Sequence, residues 1–538
     1  MPPDAACFSL RRAAVLVAAA GLAACTTPPP PASVPVFGPV PSPAPQASPQ
    51  PAPAPAPAST GLASRFPEPA VSYRTPAFQP GRAAPTSAAD AQRLLQGLAR
   101  DHGALVRVVK VADAADGTPL EALLFSRSAQ ASPESIRASG RATVLLHGPQ
   151  RADAPAATEA LLAVAQELAQ GRLLPVLDKL NVIVWPQVPA AVAALDADHL
   201  LLKTPQAQAL ARLVREYQPV VVAEAAEYLP SSEFALRFAA VERHDAMLQY
   251  AATGNLAPFV TKAAEEWFRQ PMLAALKQQG LAAEWHYGVA TGAVERRLAM
   301  GSPRPDNSRN VQGLKNLVSL SVESRGEAGG GRAHLKRRVH TLVTALGAVL
   351  QGAADRGADL MKIRQYVDAE VSAQACKGTV VVEAELSPGE HTLQMLDAAT
   401  GTERSSTVAW DSALALRELR VRPRPCGYWL DASESAAVAR LRLLGVRVEQ
   451  VLSKGVVQGD SFSAEPANGA REVKAVSALL DLAPGGYYVP LSQPLAHLAV
   501  AALEPDTAFS YWAGGLVTSL GKTARVMSWP GVKTSIVP

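Results

Sequence analysis

Three apolar runs end in residues that could do chemistry. "ATVLLHG" ends at His147 and leads into "PQRADAPA"; "PVVVAEAA" carries Glu224 and runs on to Glu227 and Tyr228; "LVSLSVES" carries Glu323. A carboxylate fixed at a strand end can act as a general base. Imidazoles and carboxylates together can hold a metal ion. His147, Asp198, His199, Glu224 and Glu227 are therefore the candidate set for a metal. Two of them have plainer readings. His147 reads as a turn histidine, and His199 as a side chain packed under the helix that starts at Thr204-Pro205.

Other chemistries are not written in the chain. There is no Gly-x-Ser-x-Gly elbow, no Walker loop and no Cys/His pair in a catalytic setting. "GEAGGGRAH" is Gly-rich and follows a strand, but it lacks the Lys-Ser/Thr of a phosphate loop and reads as a mobile loop. Net charge is +4, with no interleaved basic and aromatic patch, so nucleic acid is not an expected partner.

The elements that must position these residues follow from periodicity. "SAADAQRLLQGLARDHG" has a helical period and a Ser start; "LVRVVKVA" and "LEALLFSR" read as strands around the Asp116-Gly117 turn. "ATVLLHG", "NVIVWP", "PVVVAEAA" and "LVSLSVES" are short and apolar on both faces. Helical runs lie between them, such as "ATEALLAVAQELAQ", "PQAQALARLVREY" and "VTKAAEEWFRQPMLAALKQQG". This alternation predicts an α/β fold, a mostly parallel or mixed sheet covered by helices. Function in such sheets sits where strands end and the chain turns toward helices. "AHLKRRVHTLVTALGAVLQGAADRGADLMKIRQYVDAEVSAQA" reads as a long helix closing this part. Beyond it, "TVVVEAEL", "EHTLQMLDA", "STVAWD" and "ALRELRVRP" alternate as strands. They predict a C-terminal β-rich accessory region with its own small core.

The strand-end segments resemble those of the zinc carboxypeptidases, the carboxypeptidase A-like family. That family has a His-Gly-x-Gln-like turn leading into His-x-x-Glu-Pro-Ala and a helix. Leu146 to Ala156 fits this frame without a gap. "DHLLLKTP" matches a later Asp-His-Leu and Thr-Pro pair. "AEAAEY" fits Asp-x-His-Glu-Tyr, and "SVESRG" fits Glu-Thr-Arg-Gly. The resemblance covers roughly residues 87–354. It implies a carboxypeptidase-like fold and, in the family, hydrolysis of a C-terminal peptide bond by zinc, with Glu323 at the general-base position.

The same alignment removes the metal. The zinc ligands fall on Arg151, Ala154 and Ala226; the Asn-Arg pair that holds the substrate carboxylate falls on Asp196 and Ala197. Zinc lowers the pKa of its water from about 15.7 to near 7. A general base alone gives about 10²–10⁴-fold, against roughly 10⁶ or more for typical enzymes. The expectation is a pseudoenzyme with no cofactor, whose cleft binds peptide or cell-wall peptide. One expectation places Arg151 beside Glu227 and Glu323, its guanidinium standing in for the zinc charge. Another has Arg151 grip a ligand carboxylate. The alternative is an active metallocarboxypeptidase using displaced ligands.

The N-terminus predicts an address. Arg11 and Arg12 precede an apolar stretch too short to span a bilayer, which ends in Leu22-Ala23-Ala24-Cys25. This resembles a lipoprotein signal, with Cys25 lipidated and the protein held at the outer membrane facing the periplasm. An ordinary signal peptide, or a twin-arginine signal, is the alternative. Much of the 45-residue proline complement lies just beyond. Residues 1–25 thus read as the signal, 26–86 as a Pro/Ala-rich tether, 87–370 as the carboxypeptidase-like domain and 371–538 as the accessory region. Cys376 and Cys426 remain after Cys7 and Cys25 are assigned. In an oxidising periplasm such a pair is expected to bond; two buried thiols are the alternative.

Overall fold

The computed structural model describes residues 62, 64–113, 117, 119–148, 151, 153–186, 197–290, 296–467 and 470–537. The signal, Cys25 and the first part of the tether lie outside the described residues.

Strands with apolar residues on both faces form the centre. In chain order these are β1 (Val106–Asp113), β2 (Pro119–Phe125), β3 (Ala142–His147), β4 (Leu180–Trp185) and β5 (Val221–Tyr228). After them come β6 (Ala240–Glu242), β7 (Ala246–Tyr250), β8 (Ala283–Trp285), β9 (Tyr287–Val289), β10 (Arg297–Met300) and β11 (Val318–Arg325). One eight-stranded sheet has the order β1-β2-β4-β3-β5-β11-β7-β8. Its middle, β4-β3-β5-β11, is parallel, and β2 and β7 join it antiparallel.

Alternation along each strand sends side chains to two helical layers. Val144 and Leu146 pack in the same core as helix α2 (Pro155–Gln170) and the 39-residue helix α4 (Leu335–Ala373). Leu145 and Val222 pack against Leu210 and Leu213 of helix α3 (Pro205–Tyr217), on the other face. Helix starts are fixed locally. Helix α1 (Ala88–Asp101) has a reciprocal cap between Ser87 and Asp90, and Thr204 caps α3 by accepting from the Ala207 amide.

Two expectations are corrected. Order begins well before Ser87: Phe66, Thr75, Ala77 and Thr86 are buried, and the Thr86 hydroxyl donates to Glu159 of α2. Aromatic and apolar residues within the Pro-rich stretch supply contact area that composition alone does not reveal. The four strands expected after Cys376 are two long ones, β12 (Thr379–Asp397) and β13 (Glu403–Pro423), bent where their register shifts. The region does carry small cores of its own, one around Val451, Tyr488 and Val526 and one around Phe462 and Leu520, but its first hairpin also joins the carboxypeptidase-like part. β12 pairs with β6 and β13 with β10, giving a five-stranded sheet β6-β12-β13-β10-β9. Leu393, Met395, Val408 and Trp410 share one core with Tyr228, Phe234 and Tyr287.

The last strands are β14 (Gly427–Leu430), β15 (Glu449–Val451), β16 (Gly455–Ala467), β17 (Ala470–Leu482), β18 (Tyr487–Pro490), β19 (Thr523–Val526) and β20 (Thr534–Ile536). They form a third sheet, whose Tyr428, Leu430 and Val489 join the main core. Cys376, just past α4, is disulfide-bonded to Cys426 at the start of β14.

Candidate functional site

Parallel register brings the separated motifs together. β5 and β11 run side by side, so Ala226 stands opposite Glu323 and Tyr228 opposite Arg325. Gly326 is required there. A Cβ at this position would lie 3.0 Å from the Tyr228 carbonyl oxygen, to which the Gly326 amide donates at 2.7 Å. The glycine of "ESRG" thus lets two strand ends close against each other. Beside them opens a cleft of about 500 Å³, lined by Arg151, Ala154, Glu224, Ala226, Glu227 and Glu323. All three positions that resemble zinc-ligand sites face one space, together with the general-base position.

The charges in this cleft are paired in a way the sequence did not foretell. Glu227 is buried, and its guanidinium partner is Arg338 of α4: Arg338 Nε donates to Oε1 at 2.7 Å. The Ala156 amide, in the first turn of α2, donates to Oε2 at 2.9 Å. Burial pushes the Glu227 pKa up to about 7, against the pull of Arg338 and that amide. Glu323 sits 2.9 Å from His286 Nδ1 and accepts from the Ser321 hydroxyl at 3.1 Å. Burial would raise its pKa, but His286 and Ser321 outweigh burial and hold it below the ordinary range. Arg151 is half-exposed and grips Asp153 two residues on, through Nε at 3.0 Å and Nη2 at 2.6 Å. The expectation that Arg151 would neutralise Glu227 and Glu323 is therefore corrected. Arg338 and His286 meet those carboxylates, because the long helix and β8–β9 pass closer to them.

The residues at the ligand positions do not fit zinc. An alanine methyl has no lone pair, and a guanidinium is a permanent cation with five donors and no acceptor. The displaced candidates do not assemble either. His147 and His199 are buried, with pKa values pushed down to about 4 and about 3 by desolvation. Asp198 is a loop clasp, accepting from the Lys203 and Thr204 amides and the Thr204 hydroxyl, each at 2.7 Å. Glu224 and Glu227 alone of the five line the cleft. Among the described residues no three His, Cys, Asp or Glu side chains gather as a metal site.

Of the positions corresponding to the substrate-carboxylate pair, Asp196 lies outside the described residues and Ala197 is exposed. The Gly-rich segment folds as a short turn at 328–330, where the Glu327 carboxylate accepts from the Ala333 amide at 2.8 Å. Sequence reasoning missed His286, Arg309 and Glu242, which also line the cleft. His286 lies between two three-residue strands and Glu242 ends another, too short to show a period. Arg309 follows directly on "RPDNS", and only its nearness to the "GLKN" frame could have drawn attention to it.

Comparisons with known proteins follow the same lines. No family model matches the sequence. The chain is 23% identical over 418 residues to carboxypeptidase 2 of Trichophyton rubrum, covering 72% of this chain and 77% of that protein. It is 23% identical over 417 residues to carboxypeptidase 2 of Trichophyton tonsurans. Among solved structures, a metallo-carboxypeptidase from Burkholderia cenocepacia aligns over 50% of this chain and 70% of its own, at 12% identity and TM-score 0.36. The carboxypeptidase A from Helicoverpa armigera aligns over 51% and 74%, at 10% identity and TM-score 0.38. The parallel sheet centre, the strand-end cleft and the sequence relationship define a metallocarboxypeptidase-like α/β protein. In sequence the chain is similar to proteins of the carboxypeptidase A-like family.

Proposed function

We propose that the protein holds a peptide in this cleft without hydrolysing it. In this reading it is a metal-free relative of the carboxypeptidases, with cell-wall peptide among its ligands. A lipid on Cys25 would anchor it at the outer membrane, facing the periplasm. One observation carries the reading: Arg151, Ala154 and Ala226 line the same cleft as Glu323 and offer zinc no electron pair. Without a metal, neither a lowered water pKa nor a polarised carbonyl is available from those positions. Glu323 persists as a carboxylate, but His286 and Ser321 already engage it.

The test is the metal content of the purified protein after zinc loading and dialysis. The expected result is essentially no zinc. About one zinc per chain would overturn the metal-free reading and favour an active carboxypeptidase. Peptide hydrolysis compared with Glu323→Gln would then decide the matter. The anchor is tested separately, by fatty-acid labelling that should disappear in Cys25→Ser.

A further inference from the structure

A second cavity lies behind the cleft, and one ion pair stands between the two. Glu227 lines the cleft, while its partner Arg338 lines a rear cavity of about 360 Å³. Arg325, Gly326 and Arg337 line the rear cavity as well. Leu62 and Phe66, from the chain that precedes helix α1, supply another wall of it.

That chain is held as a strap. Residues 64–86 join no sheet and carry a single 3₁₀ turn, Pro76–Phe78. Of them only Phe66, Thr75, Pro76, Ala77 and Thr86 are buried. Much of the grip comes from side chains in and just before the first turns of helix α4. Arg337 Nη1 donates to the Pro67 carbonyl at 2.9 Å, and Arg332 Nη2 to the Ala77 carbonyl at 2.8 Å. The Tyr73 hydroxyl lies 2.9 Å from His340 Nδ1. A segment with few buried side chains and no strand ladder opens at a lower free energy than a central sheet does.

The N-terminal end of the strap bears on the cleft. The Phe66 ring centroid lies 4.6 Å from the Arg325 guanidinium, a cation–π contact. Arg325 follows Glu323 by two residues on β11, and its Nη1 donates to the Glu242 carbonyl at 2.6 Å. Arg337, which holds Pro67, also grips Asp245 through Nε at 2.6 Å and Nη2 at 3.0 Å. The Arg325 amide in turn donates to the Asp245 carbonyl at 2.9 Å. The first contacts met along the strap are therefore the ones nearest the cleft, and a pull on the chain ahead of Leu62 loads them first.

We infer that residues 64–86 are a releasable strap that sets the state of the rear wall of the cleft. Seated, the strap closes the rear cavity and fixes Arg325 and Arg337. Released, it admits water to the Arg338 side of the Glu227–Arg338 pair and loosens the ends of β5 and β11, while the rest of the central sheet stays folded. The inference does not depend on what the cleft binds.

The experiment is native-state hydrogen exchange of the full chain in low denaturant. Three sets of amides are read: Phe78 and Gln79 in the strap, Arg325 and Gly326 at the rear wall, and the paired amides of β3 and β4. The strap and rear-wall amides should share one opening, with the same denaturant dependence and protection at least about tenfold below that of β3 and β4. In Phe66→Ala both sets should lose protection by the same factor. Rear-wall amides that open only with β3 and β4 would overturn the inference. So would a strap that loses protection in Phe66→Ala while Arg325 and Gly326 keep theirs. Should that variant not fold, Phe66→Leu, which removes the ring face from Arg325, carries the same comparison, and unequal factors there would again overturn the coupling.

Discussion

Arg338 Nε and Glu227 Oε1 meet at 2.7 Å in the interior, joining helix α4 to the end of β5 across 111 residues of sequence. The carboxylate's second oxygen takes the Ala156 amide, so one buried group ties two helices and a strand. Removing a single member of a buried pair strands the other charge. Arg338→Met should therefore destabilise the fold by about 3 kcal/mol or more. Glu227→Gln keeps one acceptor oxygen, cannot serve both Arg338 and the Ala156 amide, and leaves the guanidinium buried without its counter-charge, so it should cost a comparable amount. Denaturant unfolding of the two variants gives the comparison, and a loss below about 1 kcal/mol in both would mean the charge pair is not what holds this corner.

The strand-end frame predicts where a zinc site can be built. Arg151→His, Ala154→Glu and Ala226→His together place three ligands on one wall of the cleft. The triple variant should retain about one zinc per chain after dialysis, where the parent retains essentially none. Elemental analysis reads the difference without any assay of activity. A folded triple variant with no zinc would mean that these positions do not converge as the frame implies.

How much of this was legible depended on the length scale of each signal. β3, β4, β5 and β11 were readable because burial on both faces gives continuous apolar runs bounded by turns. Helix α3 was readable from the Thr204-Pro205 start. The pairing of β12 with β6 was not, because a strand of three residues has no periodicity to detect. Arg338 was hidden in another way: within α4 it looks like one of several basic residues on a long helix. Only the packing of that helix shows that it faces Glu227. Glu242 was invisible for the same reason. Its burial is created by a hairpin more than 130 residues downstream, so no local pattern marks it.

The buried histidines set a pH dependence. His147 and His199 are held neutral by desolvation, with pKa values near 4 and 3 against about 6.5 when unfolded. The folded values are depressed, so the unfolded chain binds these protons first as pH falls. Their stabilising contribution is complete above about pH 6.5 and is lost progressively toward pH 4. His147 alone accounts for on the order of 3 kcal/mol over that range. The denaturant midpoint should thus fall steeply between pH 6.5 and 4. His147→Asn should flatten the slope while lowering stability at pH 7, because Asn cannot take up the proton. A slope unchanged in that variant would place the dependence on other groups.

The disulfide offers a final test, since its effect follows from where it sits in the chain. Cys376 and Cys426 are 50 residues apart and bracket the whole β12–β13 hairpin. Closing a loop of that length restricts the unfolded ensemble by about 4 kcal/mol in the chain-entropy model. The hairpin contributes Leu393, Met395 and Trp410, toward its turn, to the core beneath Phe234 and Tyr287, while the disulfide joins its open ends. Cys376→Ser with Cys426→Ser should lower the unfolding midpoint of the oxidised protein. Added reductant should shift the parent by a similar amount and the double variant not at all. If the hairpin frays first on reduction, amide exchange should quicken in β12 and β13 before it does in β3 or β5. Uniform quickening across both sheets would instead mean that hairpin and central sheet unfold as one unit.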